Sequence, residues 1–149
     1  MKKSLITLIV LVLLGVGIYF IIGLININPP EPTITVEGEK VEVAQGSYCW
    51  DRLLNSVCAD TSSPPELIKN QGLKPVAVSP ESEIKIEFKK EPNENTFGVS
   101  NWISDNEVDE VSLNDNVLIV PKEKGVYVYD VHARWEKGSS SYAFVIEVQ

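Results

Sequence analysis

The chain has 149 residues, of which 44% are apolar and 23% charged, and its formal net charge is −8. This length holds one globular domain and little more. Nine glycines and nine prolines among many branched and aromatic residues exclude a collagen-like or wholly disordered chain. Because Lys and Arg form no run longer than two in this acidic chain, the composition argues against nucleic acid as a partner, since phosphate binding requires clustered basic groups.

An uncharged apolar run of 21 residues, 5–25, follows Lys2 and Lys3. As a helix it would be about 30 Å long, the thickness of one bilayer core. A cleaved secretory signal is the competing interpretation, but its apolar region would be only ~7–15 residues long and would end in a small-x-small site. No such site follows Gly23, and a lipoprotein signal would require a cysteine directly after the run, whereas the first cysteine is Cys49.

The run therefore predicts an uncleaved signal anchor that contacts the lipid bilayer through residues 5–25. The two lysines favour a cytoplasmic amino terminus, residues 1–4, and an extracytoplasmic location for the bulk of a single-pass membrane protein. Without these lysines the outer part has 11 basic and 21 acidic groups, a net charge of −10. Such a surface attracts cations and repels anionic lipid headgroups.

The sequence after the anchor predicts a linker and then a domain made of strands. Three prolines within four positions end the helix and favour an extended linker over residues 26–32. Residues 33–149 are expected to form the extracytoplasmic domain, and in 83–89 apolar side chains alternate with charges, as in a strand with one buried face. Gly38 is expected at a tight turn or strand switch. Further strands are predicted over 33–36, 40–43, 75–79, 97–103, 107–113, 116–120, 125–135 and 141–148.

Short strands separated by polar turns predict a mainly β fold, an immunoglobulin-like β-sandwich preceded by a single transmembrane helix. One short crossover helix is expected over 63–72, with Ser63 as its N-cap, prolines in its first turn and Gly72 at its end. A further helical turn is considered over 50–57, and a hairpin loop is predicted over 136–139.

Two sequence patterns resemble known families. The last two predicted strands read Gly125-x-Tyr127-x-Tyr129-x-Val131-x-Ala133-x-Trp135 and, after a polar loop, Tyr142-x-Phe144-x-Ile146-x-Val148. This hairpin resembles the closing strands of bacterial immunoglobulin-like or fibronectin-like extracellular domains. The segment Gly46-Ser-Tyr-Cys-Trp50, followed by Cys58-Ala-Asp60, is similar to a pattern in uncharacterised membrane-anchored extracytoplasmic proteins of Gram-positive bacteria. The similarity implies a location in the cell envelope and no particular activity.

Cys49 and Cys58 are the only cysteines, and an even pair outside the membrane indicates a disulfide. A redox motif would have the closer Cys-x-x-Cys spacing, and a zinc site would require two more ligands from a chain with one histidine. The sequence therefore predicts a structural bridge, with no cofactor and no metal site.

Aromatic side chains flank the first cysteine. Tyr48 and Trp50 share a face opposite the sulfur of Cys49 if this segment is extended. Together with Asp60 they are candidate contacts for a ligand or partner, the rings serving as a stacking platform for sugar or peptide. The alternative is that the rings pack around the bridge.

An acidic stretch covers residues 105–115. Oxygen ligands at alternate positions suit Ca²⁺, but an EF-hand loop requires glycine where this stretch has Glu110. A solvated acidic face is therefore expected.

His132 is the only histidine, and it lies two residues from Asp130 on the same face of a predicted strand. A catalytic pair would need a nucleophile, and the serines at 139–141 are expected in a loop without the setting of a nucleophile elbow. No catalytic residue is therefore assigned.

These observations predict a noncatalytic binding or interaction module of the bacterial cell envelope, whose partner is an envelope component or a membrane protein. The alternative is a regulatory ectodomain, an inhibitor or accessory subunit that acts on a membrane partner through its anchor. A hydrolase with a noncontiguous carboxylate site is the third class, because any two of 21 acidic residues could meet in the fold.

Overall fold

In the computed structural model an apolar helix precedes a β-rich domain. The structure describes residues 2–25, 27–104 and 107–149, and for residues 24 and 25 it describes the backbone alone. Asn26, the first residue of the predicted linker, and Asp105, the first of the acidic stretch, lie outside the described residues, as do Met1 and Asn106. In chain order the elements are α1 (Lys2–Ile25), β1 (Pro32–Val36), β2 (Glu39–Val41), β3 (Ala44–Asp51), β4 (Ser56–Ala59), α2 (Pro64–Gln71), β5 (Val76–Val78), β6 (Glu83–Phe88), β7 (Gly98–Ser104), β8 (Glu107–Val111), β9 (Val117–Ile119), β10 (Gly125–Trp135) and β11 (Gly138–Val148).

Helix α1 is apolar on every side. Its Lys2–Gly23 segment has a mean hydropathy of 3.0. The most apolar 18-residue stretch of this segment is not buried by the rest of the chain. A helix that is hydrophobic all round needs an apolar environment. By length and composition α1 is able to span a membrane.

The smaller sheet has four strands in the order β2-β1-β6-β9, all antiparallel. Strands β1 and β2 are joined by Glu37 and Gly38, which both have positive φ, 51° and 86°. Two successive residues at positive φ form the two-residue hairpin turn that matches strand twist. The tight turn predicted at Gly38 is thus confirmed.

The larger sheet has the order β4-β3-β11-β10-β7-β8, and the short strand β5 pairs in parallel with the end of β11. Its centre is the β10–β11 hairpin, which is paired without interruption from Gly125↔Val148 to Trp135↔Gly138. The loop predicted over 136–139 is only a two-residue turn, because β11 begins at Gly138. The serines at 139–141, for which the sequence predicts a loop setting, are therefore strand residues.

The core lies between the two sheets and contains the inward-facing side chains of both. At one end an aromatic cluster is centred on Trp135, whose ring centroid is 5.1 Å from that of Phe88 and 5.9 Å from that of Trp50. The indole nitrogen of Trp135 donates to the carbonyl oxygen of Lys90 at 2.8 Å, so its polar atom is satisfied. The domain is thus mainly β and sandwich-like, as the strand pattern predicts.

Helix α2 covers part of the outer face of the larger sheet. Leu67 and Ile68 pack there on Ala44, Ala143 and Val145. The helix ends at Gly72, which is left-handed (φ 70°) and donates its N–H to carbonyl oxygens of the last turn. The helix predicted over 63–72 is confirmed.

The segment 50–57 is not helical, contrary to the turn considered for it. Trp50 pairs with Val57 and Asp51 pairs with Ser56, so these residues form the β3–β4 hairpin. Cross-strand pairing and the burial of the Trp50 ring in the core outweigh the local helical preference of this segment.

The predicted linker is attached to the domain along much of its length. The Tyr142 hydroxyl donates to the carbonyl oxygen of Pro30 at 2.8 Å, Pro29 is buried, and β1 already begins at Pro32. The segment is therefore a docked connection, whereas its prolines alone predict an extended spacer.

Candidate functional site

Polar side chains occupy the outer face of the larger sheet where α2 does not cover it. Strand pairing arranges them in rows: Asp130 of β10 lies opposite Ser100 of β7, and His132 lies opposite Gly98 on one side and Ser141 on the other. Alternate residues of a strand share a face, so Asp130 and His132 point the same way. The sheet thus brings a carboxyl, an imidazole and hydroxyls together.

These rows form a groove beside α2, which we call the hydroxyl-lined groove. It consists of two adjoining hollows of about 380 Å³ and about 340 Å³ that share Ser47 and Ser141. The first hollow is lined by Gly46, Ser47, Thr61, Ser62, Ser63, Pro64, Leu67, Trp102, Asp130 and Ser141. The second is lined by Ser47, Thr96, His132, Ala133, Arg134, Ser139, Ser140 and Ser141. Hydroxyl groups therefore dominate its walls, with one tryptophan ring at the side.

A β-bulge in β3 shapes the middle of the groove. Tyr48 pairs with Ser140 but Gln45 pairs with Tyr142, so β3 has one extra residue opposite Ser141. The bulge brings Gly46 against Ser141, and any side chain at position 46 would collide with the Ser141 hydroxyl. Glycine at this position is what leaves room for the serine.

Ser47, on the bulge, ties the strand to the segment that precedes α2. Its Oγ accepts a hydrogen bond from the backbone N–H of Thr61 at 3.0 Å and lies 3.4 Å from the Thr61 Oγ1. Ser63 occupies the N-cap position, but its side chain does not cap the helix; it lines the groove. The bulged strand and the irregular segment before α2 thereby present their hydroxyls to the same hollow.

Asp130 is the charged residue among those that line the first hollow. Burial raises the pKa of its carboxyl to about 6. The nearby His132 and a hydrogen bond from the Ser141 hydroxyl oppose this rise, and Glu110 adds to it. A half-buried carboxyl of this kind accepts hydrogen bonds from hydroxyl, amide or amino groups and disfavours anions.

The His132 ring packs closely against Gly98. A methyl group on Gly98 would lie 2.5 Å from the imidazole Nε2 and 2.9 Å from Cε1. The ring fills the space that a side chain at position 98 would take. Its position in the groove therefore depends on that glycine.

The acidic strand β8 reaches the groove through one hydrogen bond. Ser100 is 6% exposed, and its hydroxyl donates to the carboxylate of Glu110 at 3.0 Å. Since Ser100 is paired with Asp130, the two carboxyl groups lie on either side of it. Negative charge is thus concentrated along this side of the groove.

The predicted disulfide between Cys49 and Cys58 is confirmed. The two residues are directly paired across β3 and β4, with their Cα atoms 4.0 Å apart, and both are exposed. Tyr48 packs partly against the core, and the Trp50 ring is 2% exposed within it. Trp50 is therefore a core residue and offers no stacking platform, and the two rings lie on the core side of the sheet.

Asp60 is exposed and directly precedes Thr61 at the rim of the groove. It remains a candidate contact. In the acidic stretch, the described carboxyl side chains at 107, 109, 110 and 115 are exposed. Among the described residues no group of three or more His, Cys, Asp or Glu side chains is placed to hold a metal ion.

The sequence alone does not predict that several residues of the groove lie together. Ser141 and Ser47 come together only because β3 pairs with β11. Two glycines are the sequence feature that indicates the groove. Gly46 and Gly98 interrupt strand-like segments, and a glycine inside a strand often marks a bulge or a site where another group approaches the backbone closely. Trp102 of β7 also lines the groove.

Comparisons with known proteins give no relative: no family model matches the chain, and neither a curated protein nor a solved structure matches it.

Proposed function

We propose that the protein is a single-pass membrane protein with a cytoplasmic amino terminus, whose acidic β-sandwich faces outward as a noncatalytic binding module of a bacterial cell envelope. The apolar Lys2–Gly23 segment and the lysines at its start support this, as does the Cys49–Cys58 disulfide, a bond typical of oxidising compartments. Protease added to intact cells should degrade the domain. Protection until the cells are lysed would contradict the orientation.

The domain itself is proposed to be immunoglobulin-like. The order β8-β7-β10-β11 corresponds to C′-C-F-G of a variable-type domain, and the adjacent pair β6-β9 corresponds to B and E. Tyr127, near the start of β10, donates its hydroxyl to the carbonyl oxygen of Glu123 at 3.0 Å, as the tyrosine corner of such domains does. The disulfide differs, because it joins neighbouring strands of one sheet.

The observation that carries the binding function is the hydroxyl-lined groove. Five of the residues that line its first hollow are serine or threonine, and the ring of Trp102 and the carboxyl of Asp130 lie beside them. Sites of this type combine an aromatic surface with a few oriented polar groups. The Asp130 carboxyl and the neighbouring Glu110 disfavour phosphate, so we propose as ligand a wall polymer that presents hydroxyl, amide and amino groups, such as peptidoglycan.

Sedimentation with purified peptidoglycan tests this proposal. The full chain in lipid nanodiscs should sediment with the polymer, and Trp102→Ala should weaken binding by about ten-fold or more, since aromatic anchors dominate such contacts. Ile119→Ala is the matched control, because Ile119 is an exposed apolar residue of the other sheet. Absence of binding by the unaltered chain, or equal binding by Trp102→Ala, would contradict the proposal.

A second candidate function, hydrolysis of a bond in the same polymer, is favoured by one observation. The Ser141 hydroxyl donates to the Asp130 carboxylate and lies across the strand pair from His132. The same sedimentation experiment distinguishes the two functions, because a hydrolase releases soluble fragments over time and Ser141→Ala would abolish that release. A binding module releases none.

A further inference from the structure

The tip of the β3–β4 hairpin packs against the end of the apolar helix. Leu53, in the turn, lies over the α-carbon of Gly23, where a methyl group would be 2.9 Å from Leu53 Cδ2 and 3.4 Å from Leu53 Cβ. The neighbouring Arg52 donates its Nε hydrogen to the carbonyl oxygen of Ile27, 3.0 Å away. The hairpin thus contacts both the last residue of the Lys2–Gly23 segment and the connection that follows α1.

Leu54, at the same tip, is 89% exposed, the highest value among the large apolar side chains in the described part of the chain. Turns are usually formed by Gly, Pro, Asn, Asp and Ser, so two adjacent leucines here are unusual. Arg52 directly precedes them, and its guanidinium carries donors that match phosphate oxygens. Apolar residues flanked by a basic residue are typical of segments that enter the boundary between lipid chains and headgroups.

The position of Gly23 along the helix indicates what surrounds this tip. The apolar run continues to residue 25, and at a rise of about 1.5 Å per residue Gly23 lies roughly 3 Å inside the end of that run. A side chain packed on Gly23 is therefore level with the outer edge of the bilayer core. We propose that the hairpin tip, residues 52–55, is a second membrane contact, in which Leu54 enters the outer leaflet and Arg52 lies near the lipid phosphates. This inference rests on the proposed anchoring of α1.

The base of the hairpin holds the tip in this place. The Cys49–Cys58 bridge joins its two strands, and the pairs beyond the bridge continue to the turn. The backbone N–H of Asp51 also donates to the carbonyl oxygen of Lys137 at 2.7 Å, which connects the hairpin to the β10–β11 turn. The domain is thereby attached to the bilayer at two points, α1 and the tip, and its orientation on the membrane is restricted.

Tryptophan quenching by lipids that carry bromine on their acyl chains tests the contact. The full chain is reconstituted in phosphatidylcholine vesicles, and the emission added by Leu54→Trp is measured against the unaltered protein. Shallow bromines should remove roughly half or more of this added emission, as for other interfacial segments. Val126→Trp is the matched control: it is exposed at the far end of β10, about 30 Å along the strand from Trp135, and should not be quenched.

Two further variants keep the outcome decisive. Tyr19→Trp, within α1, reports whether the anchor is inserted and should be quenched by deep bromines. Unquenched Leu54→Trp together with quenched Tyr19→Trp would overturn the second contact and leave the anchor intact, whereas loss of quenching at both positions would overturn the anchor and the contact together.

Gly23→Leu fills the space that Leu53 occupies, so it should reduce the quenching of Leu54→Trp. Undiminished quenching would contradict the packing of the tip on α1.

Discussion

The imidazole of His132 rests on the α-carbon of Gly98, its cross-strand partner in β7, so closely that no side chain fits between them. This contact joins the groove to the backbone of β7, whose next residue, Val99, is buried in the core. The shape of the groove and the stability of the sheet are therefore coupled at one pair of residues.

The first prediction concerns this pair. Gly98→Ala should destabilise the full chain by about 1–3 kcal/mol, because the added methyl group displaces the ring. In the His132→Ala background the same substitution should be neutral or slightly stabilising, since alanine is preferred over glycine in a strand. Urea unfolding followed by the fluorescence of the buried tryptophans measures all four proteins. Equal costs in both backgrounds would show that the ring and the glycine are not coupled.

The second prediction concerns Asp130 and pH. Burial raises the pKa of its carboxyl to about 6 in the folded state, above the ordinary 3.8, so the native state holds the proton more tightly than the unfolded chain does. The stability that this proton contributes is complete below pH 4 and is lost as the pH rises through 6. Asp130→Asn should remove this loss and gain about 1–3 kcal/mol over the unaltered protein between pH 4 and pH 7.

Carboxyl carbon chemical shifts measured by NMR give a direct control for that titration. Ser141→Ala removes a hydrogen bond that lowers the pKa, so it should move the Asp130 titration to higher pH. A midpoint near 4 in the unaltered protein, or a shift to lower pH in Ser141→Ala, would contradict the assignment of the buried carboxyl.

The third prediction concerns the disulfide. Replacing both Cys49 and Cys58 by alanine should lower the free energy of unfolding by roughly 2.5–3 kcal/mol, because the unfolded chain gains conformational entropy when this small loop is no longer closed. Intact mass after alkylation checks the bridge itself. Native, unreduced protein should take up no alkylating reagent, and two labelled thiols in that sample would refute the bond.

The fourth prediction concerns the docked connection. Tyr142→Phe removes the hydrogen bond to Pro30 and should cost about 0.5–1.5 kcal/mol while increasing protease cleavage between residues 27 and 32. Tyr127→Phe makes the same chemical change at another tyrosine whose hydroxyl donates to a carbonyl oxygen, that of Glu123. It should lower stability by a similar amount without changing cleavage of the connection. Similar cleavage in both variants would mean that Tyr142 does not hold this segment.

The predictability of the fold differs from strand to strand for a physical reason. Strands β6 and β10 are predicted closely, and β11 apart from its first three residues, because their alternation directly reflects one buried and one exposed face. Strand β3 is not predicted from the alternation of its residues, because its bulge changes which face the following residues point to. Ala44 packs under α2 and Trp50 packs in the core, although a regular strand would place these two even-numbered residues on the same face. A simple two-residue period cannot describe such a strand.

The groove was harder to predict than the fold, because it depends on contacts between distant parts of the chain. Asp130 and His132 were recognised as sharing a strand face, and this is confirmed by their common orientation in the groove. Their partners Ser47 and Ser141 lie far apart in sequence and meet only through the β3–β11 register. Register between distant strands is determined by the whole core, and no local pattern of residues reports it.

Strand β8 ends the larger sheet, and three of its five residues are acidic. Two copies that approached through this edge would bring carboxylates opposite one another, which opposes pairing of their backbones. This charge protects the edge against pairing from copy to copy into continuous sheets. Acidification or multivalent cations would weaken that protection.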